Sequence, residues 1–169
     1  MEQNCNRIRY KHLVMVNSWF RIDIIFYYLS VTVNISYFLL TCKLSFSSSL
    51  AWTSEGFDRH LKLIRRDELS SPYGKDVVKR IKYLLGKYVD VQDKHVLVIG
   101  SALPWVETIL LYLNASRITT LEYDPYPSTH PKVTTITPSD FAKLVLSNNA
   151  PLFDAMVSFS SLEHSGLGR

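Results

Sequence analysis

The sequence has few cysteines and few glycines, and both shortages exclude classes of protein. Its two cysteines, Cys5 and Cys42, form no Cys-x-x-Cys pair and have no histidine at ligand spacing. We therefore expect neither a disulfide framework nor a metal site. The chain has six glycines, and they nowhere form the Gly-x-Gly-x-x-Gly turn that is typical of nicotinamide dinucleotide-binding folds.

The chain also lacks a strong excess of charge of either sign. Its formal net charge is +4. Basic residues concentrate between Arg59 and Lys94, but acidic residues such as Asp67 and Asp76 interleave with them. A mixed-sign run of this kind is typical of a solvated helix face. No nucleic-acid partner is therefore expected.

One segment lacks charge altogether. No charged residue occurs from Ile24 to Cys42, a stretch close to the ~20 apolar residues that a membrane-spanning helix needs. Four basic residues precede it and only Lys43 follows closely, so the positive-inside rule keeps the amino terminus cytoplasmic. We predict a basic N-terminal segment over residues 1–23 and a single-pass membrane anchor over residues 24–42. The alternative is a hydrophobic helix or strand pair that packs on the domain of a cytoplasmic protein.

Residues 43–69 are predicted to be a linker with a short helix. Serines at positions 45 and 47–49 mark the linker, and the helix is expected over Arg59–Glu68. From residue 70 onwards, structured elements alternate. Ser71 as N-cap and Pro72 at the first position predict the start of a second helix, whose apolar residues recur from Val77 to Tyr88 at the helical period.

Four continuous apolar runs predict parallel strands over residues 96–99, 118–123, 133–137 and 153–159. Helices are predicted between them, one beginning at Pro104 and one capped by Ser139. The expected fold class is α/β: a partial Rossmann-like parallel sheet flanked by helices over residues 70–169, behind an N-terminal hydrophobic helix. The sheet is expected to be partial because only ten residues follow the fourth strand, whereas a doubly wound sheet normally continues.

Gly100 and Glu122 stand out by their spacing. Gly100 ends the first predicted strand, and Glu122 ends the second, 22 residues later. Nucleotide-binding α/β folds use this spacing to place a glycine turn under one part of a cofactor and an acid beside its ribose. The pair therefore predicts a cofactor-binding domain.

Three segments carry a family resemblance: VLVIGSALPWVE at 96–107, ITTLEYDP at 118–125 and FDAMVSFSSLEHSGLGR at 153–169. Together they resemble the family called domain of unknown function 268, and FSSLEHSGLGR is the most specific part. The resemblance covers about residues 70–169. That family looks distantly similar to the class I S-adenosylmethionine-dependent methyltransferases, so S-adenosylmethionine is the implied cofactor.

The methyltransferase likeness implies roles for individual residues. It places Gly100 and Ala102 in the turn under the methionine moiety, Glu122 on the ribose hydroxyls and Asp140 near the adenine. It places Phe159 and Ser160 at the end of the fourth strand, where cofactor and substrate meet. Glu163 and His164 are the candidate catalytic residues, either of which would remove a proton from the methyl acceptor. The identity of that acceptor is not predicted.

The turn departs from the usual methyltransferase pattern of several glycines, because Ala102 and Pro104 follow Gly100. Two alternatives therefore stay open. The first is a non-catalytic, membrane-tethered fragment or pseudo-enzyme that binds a partner. The second is a nicotinamide-dependent oxidoreductase, for which the acid after the second strand also fits. Trp105 is interpreted as a packing residue rather than an adenine neighbour.

Overall fold

A computed structural model of the chain describes residues 12–16, 52–124, 126–159 and 161, with backbone only for 12–16. The predicted anchor over residues 24–42 lies outside the described residues. None of the helices in the described part of the chain combines the length and apolar character that a membrane span requires.

The described residues form five strands and four helices. In chain order they are β1 His12–Val16, α1 Ser54–Arg65, α2 Lys75–Tyr88, β2 His95–Ile99, α3 Trp105–Tyr112, β3 Arg117–Leu121, β4 Val133–Ile136, α4 Pro138–Leu146 and β5 Ala155–Phe159. The strands form one sheet in the order β1-β5-β2-β3-β4, and every pair is parallel. The predicted α/β class with a parallel sheet is confirmed.

Helices cover both faces of this sheet. Alternate strand residues, including Val96, Val98 and Ile118, pack against helices α1, α2 and α3. Their neighbours on the opposite face, such as Leu97 and Met156, pack against Phe141 of α4. Because successive side chains of a strand point to opposite faces, a continuous apolar run is what a sheet covered on both sides requires.

Helix α2 begins later than the sequence predicted, and helix α4 is capped by a different residue. Helix α2 starts at Lys75, because Gly74 adopts a φ of +93° and Ser71 closes a turn with it through Oγ, which donates to the Gly74 carbonyl over 3.1 Å. The predicted start at Ser71 was therefore wrong. Helix α4 is capped by Thr137, whose Oγ1 accepts from the Asp140 N–H over 3.2 Å, and not by Ser139.

The segment before residue 70 packs into the same core as the sheet. Helix α1 begins at Ser54, capped by Thr53, whereas the sequence predicted a linker there. Trp52, Phe57 and Ile64 are buried among core residues of α2 and α3. The Trp52 ring also stacks on that of Tyr126, with centroids 5.8 Å apart.

Candidate functional site

A cleft opens at the carboxyl edge of the three central strands. Strands β2, β3 and β5 all end there, since they are parallel and adjacent. The cleft has a volume of about 390 Å³, within the range of small-molecule sites. Its wall includes the turn from Gly100 to Leu103, the end of β3 at Glu122 and Tyr123, and a group of aromatic residues. In open parallel sheets, ligands bind outside this edge.

Gly100 turns the chain away from the end of β2. Its φ is +71°, a conformation that favours glycine. A side chain at this position would overlap with Ser161, whose Oγ lies 3.0 Å from the Gly100 carbonyl and 3.1 Å from the Phe159 carbonyl and can donate its one hydrogen to either. Glycine is therefore required here by backbone conformation and by the close approach of the segment after β5.

Glu122 ties the end of β3 to this turn. Its Oε2 accepts from the Ser101 N–H over 2.6 Å, and its Oε1 accepts from the Tyr123 N–H over 2.8 Å. The side chain is half-buried and lines the cleft. Because each carboxylate oxygen can accept more than one hydrogen bond, these contacts leave acceptor capacity for a ligand hydroxyl.

The aromatic side of the cleft consists of Tyr73, Trp105 and Phe159. Phe159 contacts both other rings edge to face, at centroid distances of 4.8 Å to Tyr73 and 5.0 Å to Trp105. Trp105 and Phe159 are 6% and 8% exposed, so they act mainly by packing, as predicted for Trp105. Tyr73 is 47% exposed and presents apolar surface to the cleft.

Behind the turn lies a carboxyl group that the sequence analysis missed. Glu107, in the first turn of α3, is fully buried. Its Oε2 lies 2.9 Å from Ser101 Oγ and its Oε1 lies 2.7 Å from Thr120 Oγ1. Burial raises the pKa of Glu107 to about 7. The signal in the sequence was a single acid in the otherwise uncharged helix WVETILLY, because a helix that is apolar all round is buried.

The other predicted site residues divide into three groups. Ala102 lines the cleft beside Gly100 and is exposed, and Phe159 lines it from the end of β5. Asp140 does not line it: its carboxylate accepts from Lys143 Nζ over 2.8 Å and from Thr137 Oγ1 over 2.8 Å at the start of α4. The hydrogen bond from Lys143 lowers the pKa of Asp140. Ser160, Glu163 and His164 lie outside the described residues.

No group of three or more metal-binding side chains occurs among the described residues. In that same part of the chain, the residues that line the cleft include one carboxylate, Glu122, and no lysine or arginine. The arrangement suits a ligand that offers hydroxyl groups or positive charge to a carboxylate and apolar surface to aromatic rings.

Fold and cleft together define an α/β protein with a cleft at the carboxyl edge of a parallel sheet. A family model described as "Caenorhabditis protein of unknown function, DUF268" matches residues 93–169. This range contains strands β2 to β5, the turn at Gly100 and the Glu122 carboxylate, so the predicted family resemblance is supported over the part of the chain that forms the cleft. No curated protein and no solved structure matches the chain.

Proposed function

We propose that the cleft binds S-adenosylmethionine and that the protein is a methyltransferase of unknown acceptor. The observation that carries the proposal is the meeting of the Gly100 turn and the Glu122 carboxylate at one edge of a cleft without cationic lining in the described residues. S-adenosylmethionine carries a ribose, an ammonium group and a sulfonium centre, and none of these needs a phosphate-binding residue. The nicotinamide cofactors carry a pyrophosphate, which dinucleotide-binding folds hold at a Gly-x-Gly-x-x-Gly turn, and the turn at Gly100 lacks that pattern.

The residues around the cleft have separate parts in this proposal. Glu122 accepts hydrogen bonds from the ribose hydroxyls while its contacts with Ser101 and Tyr123 hold the carboxylate in place. Tyr123, 40% exposed at the cleft, offers a flat surface to the adenine. The Gly100 turn and Ala102 lie on the side of the methionine moiety.

Methyl transfer requires no covalent bond between the protein and either reactant. The bound cofactor supplies an electrophilic methyl group, and the acceptor displaces it in line. The protein contributes by positioning the two reactants and by excluding water from the site. The buried aromatic wall of Trp105 and Phe159 provides an apolar boundary for this purpose. Removal of the acceptor proton by Glu163 or His164 remains a prediction.

Calorimetric titration of the full chain with S-adenosylmethionine, S-adenosylhomocysteine and NAD⁺ tests the proposal. We expect the two sulfur cofactors to bind and NAD⁺ to bind at least tenfold more weakly. The variant Glu122→Gln should lose at least tenfold in affinity, about 1.4 kcal/mol, because the amide offers fewer acceptor sites than the carboxylate.

Asp124→Asn is the matched control, since Asp124 is the neighbouring acid and is outside the cleft lining. It should change affinity less than twofold. Equal losses in both variants would show that general negative charge, and not the Glu122 site, attracts the ligand. Tighter binding of NAD⁺ than of S-adenosylmethionine would overturn the proposal in favour of dinucleotide chemistry.

A further inference from the structure

The contacts of Glu107 require more hydrogen atoms than its neighbours can supply. Three short oxygen–oxygen contacts form one chain: Thr120 Oγ1 to Glu107 Oε1 over 2.7 Å, Glu107 Oε2 to Ser101 Oγ over 2.9 Å, and Ser101 Oγ to the Leu103 carbonyl over 3.0 Å. Each contact needs one hydrogen. The two hydroxyl groups supply one each, and neither the Leu103 carbonyl nor an ionised Glu107 supplies any.

The third hydrogen therefore comes from Glu107 itself. We propose that Glu107 acts as a neutral carboxylic acid, a positioning residue that donates from Oε2 to Ser101 Oγ so that the Ser101 hydroxyl can donate to the Leu103 carbonyl and hold the turn from Gly100 to Leu103 in shape. Thr120 then donates to the remaining oxygen of Glu107. With the acid neutral, all three contacts become hydrogen bonds, as fully buried polar groups require.

An ionised Glu107 would break this chain at one point. The Ser101 hydroxyl would have to donate to the carboxylate, and its oxygen would then face the Leu103 carbonyl without a hydrogen between them. The backbone N–H of Ser101 also donates to Glu122, so the same residue joins the buried acid to the cleft carboxylate. Ionisation of Glu107 should therefore loosen the turn and disturb the Glu122 side of the cleft.

The charges around Glu107 favour the neutral form overall. Burial is the largest influence on its pKa and raises it, and the negative charge of Glu122, at the end of β3, raises it further. The hydrogen bonds from Thr120, Ser101 and its own backbone act in the opposite direction.

The neighbouring helices add no opposing charge. Helices α1 and α2 pack against α3, but no charged side chain of either, within the described residues, acts on Glu107. Lys82 of α2 reaches α3 only at the far end of that helix, where its Nζ lies 5.3 Å from the centre of the Tyr112 ring.

The inference concerns how the cleft is kept in shape, and it rests on the proposed function only for the identity of the ligand. Its test therefore needs no ligand. The full chain is labelled with ¹³C at the glutamate side-chain carboxyl groups, and their resonances are followed by NMR from pH 4 to pH 9. Glu107→Gln identifies the Glu107 resonance by its disappearance. Hydrogen exchange of the amides from Gly100 to Leu103 is measured over the same range.

Glutamine keeps one donor and one acceptor without the ability to ionise, and Glu55→Gln makes the same change at an exposed residue. We expect the Glu107 carboxyl to stay protonated until the pH approaches 7. At pH 5.5 the turn amides should exchange at equal rates in wild type and in Glu107→Gln. At pH 8.5 they should exchange several-fold faster in wild type than in Glu107→Gln. Glu55→Gln should follow wild type throughout.

Two results would overturn the proposal. A Glu107 resonance that ionises in the ordinary range of an exposed glutamate would show that the acid is charged at neutral pH. A resonance that stays neutral, with turn exchange that does not respond to its ionisation, would show that the acid does not position the turn. If Glu107→Gln does not fold, the wild type still decides the first point, because the sequence has six glutamates and ionisation of all six resonances in the ordinary range would show that Glu107 is charged at neutral pH. Failure of S-adenosylmethionine to bind would leave both measurements unaffected.

Discussion

Gly100 carries two separate constraints at the residue scale, and two variants distinguish them. Its φ is positive, and the space that a side chain would fill is taken by Ser161. Gly74 also has a positive φ but has open space around its Cα. Urea unfolding should show that Gly74→Ala costs about 1–3 kcal/mol from backbone strain alone, because its φ of +93° and ψ of 172° are essentially confined to glycine. Gly100→Ala should cost about 1–3 kcal/mol beyond its own backbone strain, because overlap with Ser161 adds to it.

Ser161→Gly in the Gly100→Ala background provides the control, because it removes the side chain that the new methyl group would meet. The double variant should recover more than half of the additional loss. A double variant no more stable than Gly100→Ala would contradict the close approach of Ser161. This approach could not be predicted from the sequence, since the two residues are 61 positions apart.

The pH dependence of stability provides a second residue-scale prediction. Glu107 has a folded pKa of about 7 against an ordinary value of 4.5. Below pH 4.5 the acid is neutral in both states. Between pH 4.5 and about 7 the unfolded chain ionises while the folded chain keeps its proton, so stability falls as the pH rises. The total loss is of order 3 kcal/mol, from about 2.5 units at 1.36 kcal/mol each.

Urea unfolding of wild type and Glu107→Gln across pH 4.5–8 checks this sign. The difference between the two free energies of unfolding isolates Glu107, because all other ionisable groups are shared. The wild type should be the more stable relative to the variant at low pH and should lose that advantage by pH 8. A difference that is constant, or that grows in favour of the wild type with pH, would contradict a raised pKa.

Element positions were easier to predict than element boundaries. The strands at His95–Ile99 and Ala155–Phe159 follow from apolar runs, because a strand covered on both faces needs apolar residues throughout. Strand β1 was not predicted. Its pairing with β5 joins residues more than 140 positions apart, and nothing local in HLVMV specifies such a partner.

The start of helix α4 shows why boundaries fail. Thr137 and Ser139 are both good N-cap residues, and only the backbone decides between them. Thr137 has extended dihedral angles, with φ −78° and ψ 155°, and Pro138 after it suits the first helical position. Thr137→Ala should therefore cost about 1 kcal/mol, and Ser139→Ala less than 0.5 kcal/mol, as measured by urea unfolding. A larger loss of stability in Ser139→Ala than in Thr137→Ala would show that Ser139 is the cap, as the sequence predicted.

The sequence predicted some residues of the candidate site but not the contacts between them. Gly100 and Glu122 were identified because their spacing reflects a strand–helix–strand unit. The links from Ser101 to Glu107 and to Glu122 depend on how α3 docks on the sheet, which the spacing does not specify. Asp140 follows its strand as predicted, but its side chain is engaged at the start of α4 and does not reach the cleft.

At the scale of the whole molecule, the first residue of the domain determines the shortest chain that can fold. The sequence places it at residue 70, but Trp52, Phe57 and Ile64 are each 2% exposed or less within the common core. Burial of a large apolar side chain contributes about 1.5–3 kcal/mol, so the three together approach the whole stability of a small domain. A chain of residues 70–169 should therefore not unfold cooperatively, whereas one of residues 52–169 should.

Thermal unfolding followed by circular dichroism compares the two shortened chains, and both lack β1, so the comparison isolates residues 52–69. Phe57→Ala in the full chain is the second arm and should cost about 3–5 kcal/mol, against less than 0.5 kcal/mol for Leu146→Ala at an exposed position. A cooperative transition for residues 70–169 at the same temperature as for residues 52–169 would show that α1 packs on a domain that is already complete. A loss confined to the shorter chain would make α1 part of the unit that holds the cleft.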